Sequence, residues 1–460
     1  MTGKMTADEH TTLLKLGEQV VDLARKAGVD VAEAYVRRGA HLSTKIRLQK
    51  PELVEEAGST SVGLRVIADH RSAVTYTSDL TSAGLARFVQ DAVELVQLSQ
   101  PDEYAAPPDP ALLSSESEHK ELHLYDPSLD EVDAAEALQR AARAEQAALD
   151  TDPRVQNSEG AQFTRTRGAG ALVTSGGFRG FVRGTYGSLS VSPVLDDADG
   201  KKRSGVYWTA RRWLHGLEDE GSVGRKAAHK TLAKLGARKI PTQQVAVIFD
   251  PEVGRSIVGL VASCVSGGAI WRKSSYLVDR EHTSVASSMV TLVDDPWIAK
   301  APGSRPYDGE GLLSRTNVVV EQGVLKTYLL DSYSARKLSK HSTASASRSG
   351  SGGVGVSTTN FFMQPGAITA EQLIASTPKA LYVTDLMGFG FNPVTGDFSR
   401  GAAGFWVENG ELTYPVSEVT ISLNLNDLLH RIDAIASDLD LRTSIAAPTF
   451  RVREMTVAGS

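Results

Sequence analysis

The stretch over residues 386–420, LMGFGFNPVTGDFSRGAAGFWVENGELTYPVSEVT, constrains the fold more than any other part of the chain. Gly388, Gly390, Gly396, Gly401 and Gly404 let the backbone take positive φ or approach another backbone closely, so a turn-rich loop is expected. Residues 404–407 and 412–416 then read as two strands around Glu408-Asn409-Gly410, because Asn-Gly favours the type I′ turn that matches strand twist. Pro415 has no N–H for a ladder and belongs at an edge or a strand end. In the loop, Asp397, Ser399, Arg400 and Gly401 are candidates for contact with a peptide or a partner chain. An equal reading has the polar side chains fixing their own loop through backbone hydrogen bonds.

Ahead of this stretch, Leu13, Leu16, Val20, Leu23 and Ala27 recur at helical spacing and Gly28 follows as a left-handed stop. Strands are expected at 32–37, 43–49, 63–68 and 73–77, then a helix at 81–98 burying Leu85, Phe88, Val89, Ala92 and Val96. Residues 100–110 carry four prolines and suit an extended connection. Ser128 and Glu131 form an S-x-x-E capping box for an alanine-rich helix reaching Leu149. Residues 157–213 read as a long antiparallel meander, and Ser222 as the cap of the next helix, which Gly236 stops.

A strand at 244–249 then opens a second domain, giving a boundary near 240: an N-terminal domain over 1–240 and a C-terminal one over 241–460. Asp250 and Pro251 start a helix whose stripe is Val253, Ile257, Val261, Cys264 and Val265. Later strands fall at 318–321, 324–329, 360–363, 381–384, 405–407, 419–422 and 450–457, with short helices at 331–338, 370–375 and 425–435. The expected class is α+β: an N-terminal α/β domain with antiparallel strands and a β-rich C-terminal domain with packed helices.

Composition bounds the function. A net charge of −6 and an isoelectric point near 6.0 provide no basic footprint for nucleic acid. The single cysteine, Cys264, excludes an intrachain disulfide and fits a reducing compartment. The amino terminus lacks the apolar core of a secretion signal and reads as mature sequence. Nowhere do 18 apolar residues run together, so no membrane span is expected and the cytoplasm is the expected location.

Local constellations carry little chemistry. His119, Glu121 and His123 lie in a short acidic segment that reads as a solvated connection. Asp196, Asp197 and Asp199 lack the first ligand and the closing glutamate of a calcium loop and read as a hairpin turn. Gly350, Gly352 and Gly355 satisfy G-x-G-x-x-G without a strand before or a helix after, and read as a flexible loop. Cys264, among apolar neighbours, reads as an inert core thiol.

The run GDFSRGAAGFWVENGELTYPV, followed by a hydrophobic strand and a helix, resembles the C-terminal signature of the TldD/PmbA family, also called modulators of gyrase. DGEGLLSRTNVVVEQGVLKTYLLDSYSARKL at 308–338, STASASR at 342–348 and REMTVAG at 453–459 fit the same family in order. The resemblance implies a zinc peptidase in the active branch. There a His-Glu pair and a second His five residues on sit on the helix that opens the second domain, and a cysteine near the C-terminus completes the site. Counting back from Ser275, those positions fall here on Val258, Gly259 and Ser263, and no histidine or acidic residue occurs between Gly254 and Val278.

That departure implies the PmbA/TldE branch: a noncatalytic subunit with no catalytic or metal residue of its own, zinc being expected in a TldD-like partner, and unfolded or leader peptides as substrate. The alternatives are a self-sufficient homodimeric peptidase and a peptide-binding module without hydrolytic role.

Overall fold

The computed structural model describes residues 7–459; residues 1–6, which open the stretch read above as mature sequence, lie outside them. The first half contains α1 (Ala7–Lys26), β1 (Val31–Arg47), β2 (Lys50–Ala68), β3 (Arg71–Thr77) and α2 (Ser82–Leu98). It continues with a one-turn α3 (Pro127–Asp130), α4 (Ala134–Leu149), β4 (Asn157–Thr174), β5 (Arg179–Asp196), β6 (Lys202–Ser204), β7 (Tyr207–Arg211) and α5 (Glu220–Leu232). Thr81 caps α2 by accepting from Gly84 N, and the five apolar residues predicted for its inner face are all buried.

Several expectations are corrected. Residues 32–37 and 43–49 are not separate strands: β1 runs unbroken and pairs with nearly all of β2. The outer part of β2, with Glu52, Glu55 and Glu56 exposed, lacks the apolar alternation that marks a strand in sequence. Ser128 and Glu131 do not cap the alanine-rich helix. Asp133 does, accepting from Glu136 N, while Asp126 caps α3. Asp219, not Ser222, caps α5. In each case an aspartate, after Ser128 in one and before Ser222 in the other, takes the N–H groups, and a charged acceptor bonds them more strongly than a hydroxyl. The triad of aspartates at 196–199 lies where β5 turns into its antiparallel neighbour β6.

The first-half strands form a seven-stranded sheet ordered β3-β2-β1-β4-β5-β6, with β7 also on β5. Helices α1, α2, α4 and α5 all pack against this sheet. They cover the face that carries Ala34, Val36 and Leu42 of β1, Phe163 and Val173 of β4 and Leu189 of β5. Because side chains alternate across a strand, Tyr35, Arg37, Gly39 and His41 point the other way.

The second half begins with β8 (Gln243–Phe249). Asp250 caps α6 (Pro251–Cys264) by accepting from Glu252 N, as predicted. Then follow α7 (Gly267–Trp271), β9 (Leu292–Asp294), β10 (Asn317–Glu321), β11 (Val324–Leu325), α8 (Ser332–Lys337), β12 (Ala346–Arg348), β13 (Val354–Val356) and β14 (Phe361–Met363). The chain ends with α9 (Ala370–Ala375), β15 (Lys379–Met387), β16 (Asp397–Glu408), β17 (Glu411–Asn424), α10 (Leu425–His430), β18 (Ile432–Ile435), β19 (Ile445–Ala446) and β20 (Phe450–Ala458). The helix expected over 425–435 therefore stops at His430, because β20 draws Ile432–Ile435 into its ladder. The strand expected at 324–329 shrinks to β11.

One sheet here is ordered β17-β16-β15-β8-β20-β18, and β17 also pairs with β20, so β17-β16-β15-β8-β20 close into a ring. A second is ordered β11-β10-β9-β14-β19. The stripe of α6 is buried in the largest apolar cluster, with Phe249 and Phe450 stacked 5.0 Å apart beside it. The protein is thus of mixed α/β composition with mainly antiparallel sheets. No helix among the described residues is long and apolar enough to cross a membrane.

The expected hairpin is present. Glu408 pairs with Glu411, and Asn409 and Gly410 take φ of 52° and 81°, as a type I′ turn requires. Pro415 faces Phe405 in β17; its carbonyl accepts from Arg238 N on the side away from β16, so the missing N–H also lies outside that ladder.

The two halves are joined by buried charge. Glu33 of β1, 1% exposed, accepts from Arg65 of β2 at 3.1 Å and from Arg348 of β12. Burial alone would raise its carboxyl, but the charges of Arg348 and Arg65 and their hydrogen bonds outweigh this and pull it down to about 2. Beside this group the β12–β13 turn rests on Gly63 of β2, where a Cβ would meet Gly352 N at 2.5 Å. The glycine loop at 350–355 is therefore a seated hairpin, not the free loop expected. Arg336 of α8 donates to the carbonyls of Tyr104, Ala106 and Pro107, fastening the extended proline-rich connection. On another flank Arg442 donates to Trp208 O and Arg211 pairs with Asp440.

Two predictions follow from this geometry. Gly410→Ala places a Cβ 2.5 Å from Ala375 O at positive φ and should cost about 2 kcal/mol in urea unfolding, more than Gly388→Ala, which has similar φ in open space. Glu33→Gln should cost about 3–5 kcal/mol at neutral pH, since it leaves two guanidinium groups without their shared carboxylate. Glu33 titrates near 2 when folded against an ordinary 4.5, so its contribution is complete above about pH 4.5 and lost as pH falls through 2. The gap between wild type and variant should close over that window.

Candidate functional site

The helix-free face of the seven-stranded sheet carries glycines and serines among larger polar side chains. Across the strands Ser59, Gly39, Gly168 and Gly184 stand in one row, and Ser61, Arg37, Gly170 and Val182 in the next. A third row holds Ala57, His41, Thr166 and Tyr186. Facing them across a cavity of about 740 Å³ are Ser304, Arg305, Tyr307, Asp308 and Gly309, with Ser347 and Arg348 from β12. A sheet face of this kind cannot fill such a space, so the second half stands over it as a wall and leaves a cleft.

Arginines line this cleft: Arg37, Arg38, Arg167, Arg183, Arg212, Arg305 and Arg348. Arg38 is paired with Glu9, Arg167 with Asp130 and Arg348 with Glu33. Arg212 donates to the carbonyls of Ala301, Pro302 and Thr185 and meets no carboxylate among the described residues; burial pushes it down to about 10. Arg305 keeps buried Nε and Nη2 atoms without a hydrogen-bond partner, and burial also lowers it. Arg37 and Arg183 are exposed, the latter lying 4.3 Å over the Tyr125 ring. Asp308 is the one carboxylate on the cavity wall, and its oxygens accept from Glu310 N, Leu312 N and Ala346 N. Next to it, burial and then the charge of Asp308 raise Glu310 to about 7.

The family-like runs at 308–338 and 342–348 supply Asp308, Gly309, Ser347 and Arg348 to the wall of this cleft, but none of the four candidate contact residues lines it. Asp397 accepts from Thr395 Oγ1 at 2.6 Å and Asn424 Nδ2 at 3.2 Å, which hold its carboxyl below the usual range. Ser399 N donates to Gly390 O, Arg400 carries a buried Nε without a partner, and Gly401 packs near Met387. These four sit at the start of β16, beside a loop that leaves Phe389 fully exposed and Met387 half exposed. His119 is not solvated as expected: it hydrogen-bonds Ser114 and lies 4.9 Å from the Tyr307 ring, and burial lowers its pKa. His123 and Glu121 are exposed.

The metal implied by the resemblance does not fit this chain. At the expected positions on α6, Val258 is buried, Gly259 lies against Ile445, and Ser263 is exposed with its hydroxyl donating to Leu260 O. None of these atoms is a zinc donor of the imidazole, thiolate or carboxylate kind. Cys264, 0% exposed, has its thiol pushed up to about 11 by burial. Among the described residues no three His, Cys, Asp or Glu side chains converge as a metal site, and no residue of α6 lines the cleft.

Comparison with known proteins accounts for the whole chain. Residues 242–459 match the PmbA/TldA metallopeptidase C-terminal domain, 127–235 the central domain and 32–96 domain 1. A relative from Escherichia coli O157:H7, metalloprotease PmbA, is 35% identical over 94% of this chain and 92% of its own. A crystal structure from Bacteroides thetaiotaomicron, described as a proposed modulator of DNA gyrase, superposes with a TM-score of 0.91 at 26% identity, covering 99% of this chain and 100% of that one. TldE from Thermococcus kodakarensis shares the fold, with a TM-score of 0.86 at 20% identity over 96% and 100% of the two chains. With matched domains spread along its length and a relative above the 30% level over nearly all of it, this chain belongs to the PmbA/TldD metallopeptidase family.

Proposed function

We propose that this chain is a noncatalytic, TldE/PmbA-like subunit that works in the cytoplasm with a TldD-like zinc-bearing partner on unfolded or leader peptides. The observation that carries this reading is the donor set of α6, where Val258, Gly259 and Ser263 stand in place of two imidazoles and a carboxylate. The buried Cys264 supports it, since a core thiol raised to about 11 by burial is a poor nucleophile near neutral pH. The cleft supports a role in holding substrate, because it offers space and charge without a reactive group. The loop carrying exposed Phe389 next to Asp397, Ser399, Arg400 and Gly401 supplies an apolar contact of the kind a partner subunit covers.

The name of the Escherichia coli relative, metalloprotease PmbA, favours a second reading in which the chain hydrolyses peptides by itself; a homodimer is the assembly that reading would take. Metal analysis and peptidase assays on the purified chain, with and without a TldD-like protein, separate the two. The expected outcome is no stoichiometric zinc and no cleavage of an unstructured peptide by the chain alone, with cleavage once the partner is added. Stoichiometric zinc together with cleavage by the chain alone overturns the proposal; peptide binding with no gain in cleavage on mixing leaves a binding module.

A further inference from the structure

We propose that the cleft receives carboxylate-rich segments of an extended peptide, with Arg37, Arg212 and Arg305 as the groups that meet its acidic side chains. The inference rests on the reading of this chain as a peptide-handling subunit and adds the class of segment it takes.

Charge is the first argument. The chain as a whole carries −6, yet seven arginines and His41 line this one cavity against a single carboxylate. That carboxylate, Asp308, is 1% exposed and already accepts three backbone N–H groups. By strand alternation Arg38, Arg167 and Arg183 project to the helix-covered face; of the others, Arg37, Arg212 and Arg305 form no carboxylate ion pair among the described residues, and carbonyl partners such as those of Arg212 satisfy its N–H groups without cancelling its charge. A cavity with low-dielectric walls concentrates the field of such charges at its centre. Guanidinium forks also match carboxylate geometry better than an ammonium would.

Shape is the second argument. Gly39 and Gly168, with Ser59 and Ser61, leave a bare strip in the floor, whereas Tyr35 stands over Gly170 and Arg212 over Gly184. An extended chain can therefore lie close to the sheet along that strip while its side chains reach Arg37 and Arg212 on the floor and Arg305 on the far wall. Long nucleic acid suits the molecule less, because phosphates leaving the cavity would run over a surface of net negative charge.

Fluorescence anisotropy on the full chain tests this, with labelled oligo-glutamate and oligo-glutamine of equal length as probes. Oligo-glutamate should bind at least about tenfold more tightly, with affinity falling as salt is raised. Arg37→Gln, at an exposed position without a carboxylate partner, should weaken it about tenfold, the loss expected for one charge-assisted contact. Arg154→Gln, paired only with Asp152 outside the cleft, should leave it unchanged. Equal affinity for the two peptides, or binding of neither, overturns the inference. Tighter binding of an oligothymidylate of matched charge overturns the peptide assignment. If acidic preference fails while a TldD-like partner still confers cleavage, the subunit reading stands without it; if the partner confers nothing, the subunit reading fails whatever the anisotropy gives.

Discussion

The structure depends on a carboxylate taken wholly out of water. Desolvating Glu33 is costly by itself, and only two guanidinium groups held at its oxygens make the ionised form the stable one. One of these, Arg65, comes from the neighbouring strand of the same sheet, and the other, Arg348, comes from the second half of the chain. The same Arg348 donates to the carbonyls of Gly309 and Gly352, so one side chain ties the sheet, the wall of the cleft and the seated hairpin together. An apolar join would tolerate sliding. This one fixes register, because each displaced charge would be left buried and unpaired.

The asymmetry of the large sheet explains why a cleft exists at all. Its helix-covered face carries Val36, Leu42 and Phe163 and buries them; its other face mixes glycine and serine with polar side chains such as Arg37 and His41 and forms no apolar layer. With Glu33 engaged by Arg65 and Arg348, and Asp308 engaged by backbone N–H groups, the acidic residues nearest the cleft are already committed. The positive charge of the remaining arginines is left facing the open space.

Much of this was legible in the sequence where local chemistry decides the outcome. Asn409-Gly410 demanded its turn, Thr81 and Asp250 their helices, and the apolar spacing of α2 and α6 named their buried faces correctly. Ser128 and Ser222 misled because aspartates nearby compete for the same N–H groups and win. The outer half of β2 was invisible, since glutamates exposed to solvent leave no alternation to read. The cleft was not legible either. Its walls come from segments more than a hundred residues apart, and only the pairing register reveals that Gly39, Gly168 and Gly184 lie side by side. Glycine recurring inside otherwise good strands was the signal available, since such positions mark close approach of backbone or ligand. The residues at the start of β16 attracted notice as polar groups in a glycine-rich loop, and the structure sets them apart from the cleft.

The long hairpin of β1 and β2 has one more consequence. From Lys50 to Thr60 the outer strand has β1 on one side and no strand on the other among the described residues, so a row of peptide groups stands open to solvent. An open margin of that kind invites chains to stack on one another. Lys50, Glu52, Glu55 and Glu56 along it act as a fence: a second copy laid there would bring like charges together, which keeps the molecule from polymerising through its own rim.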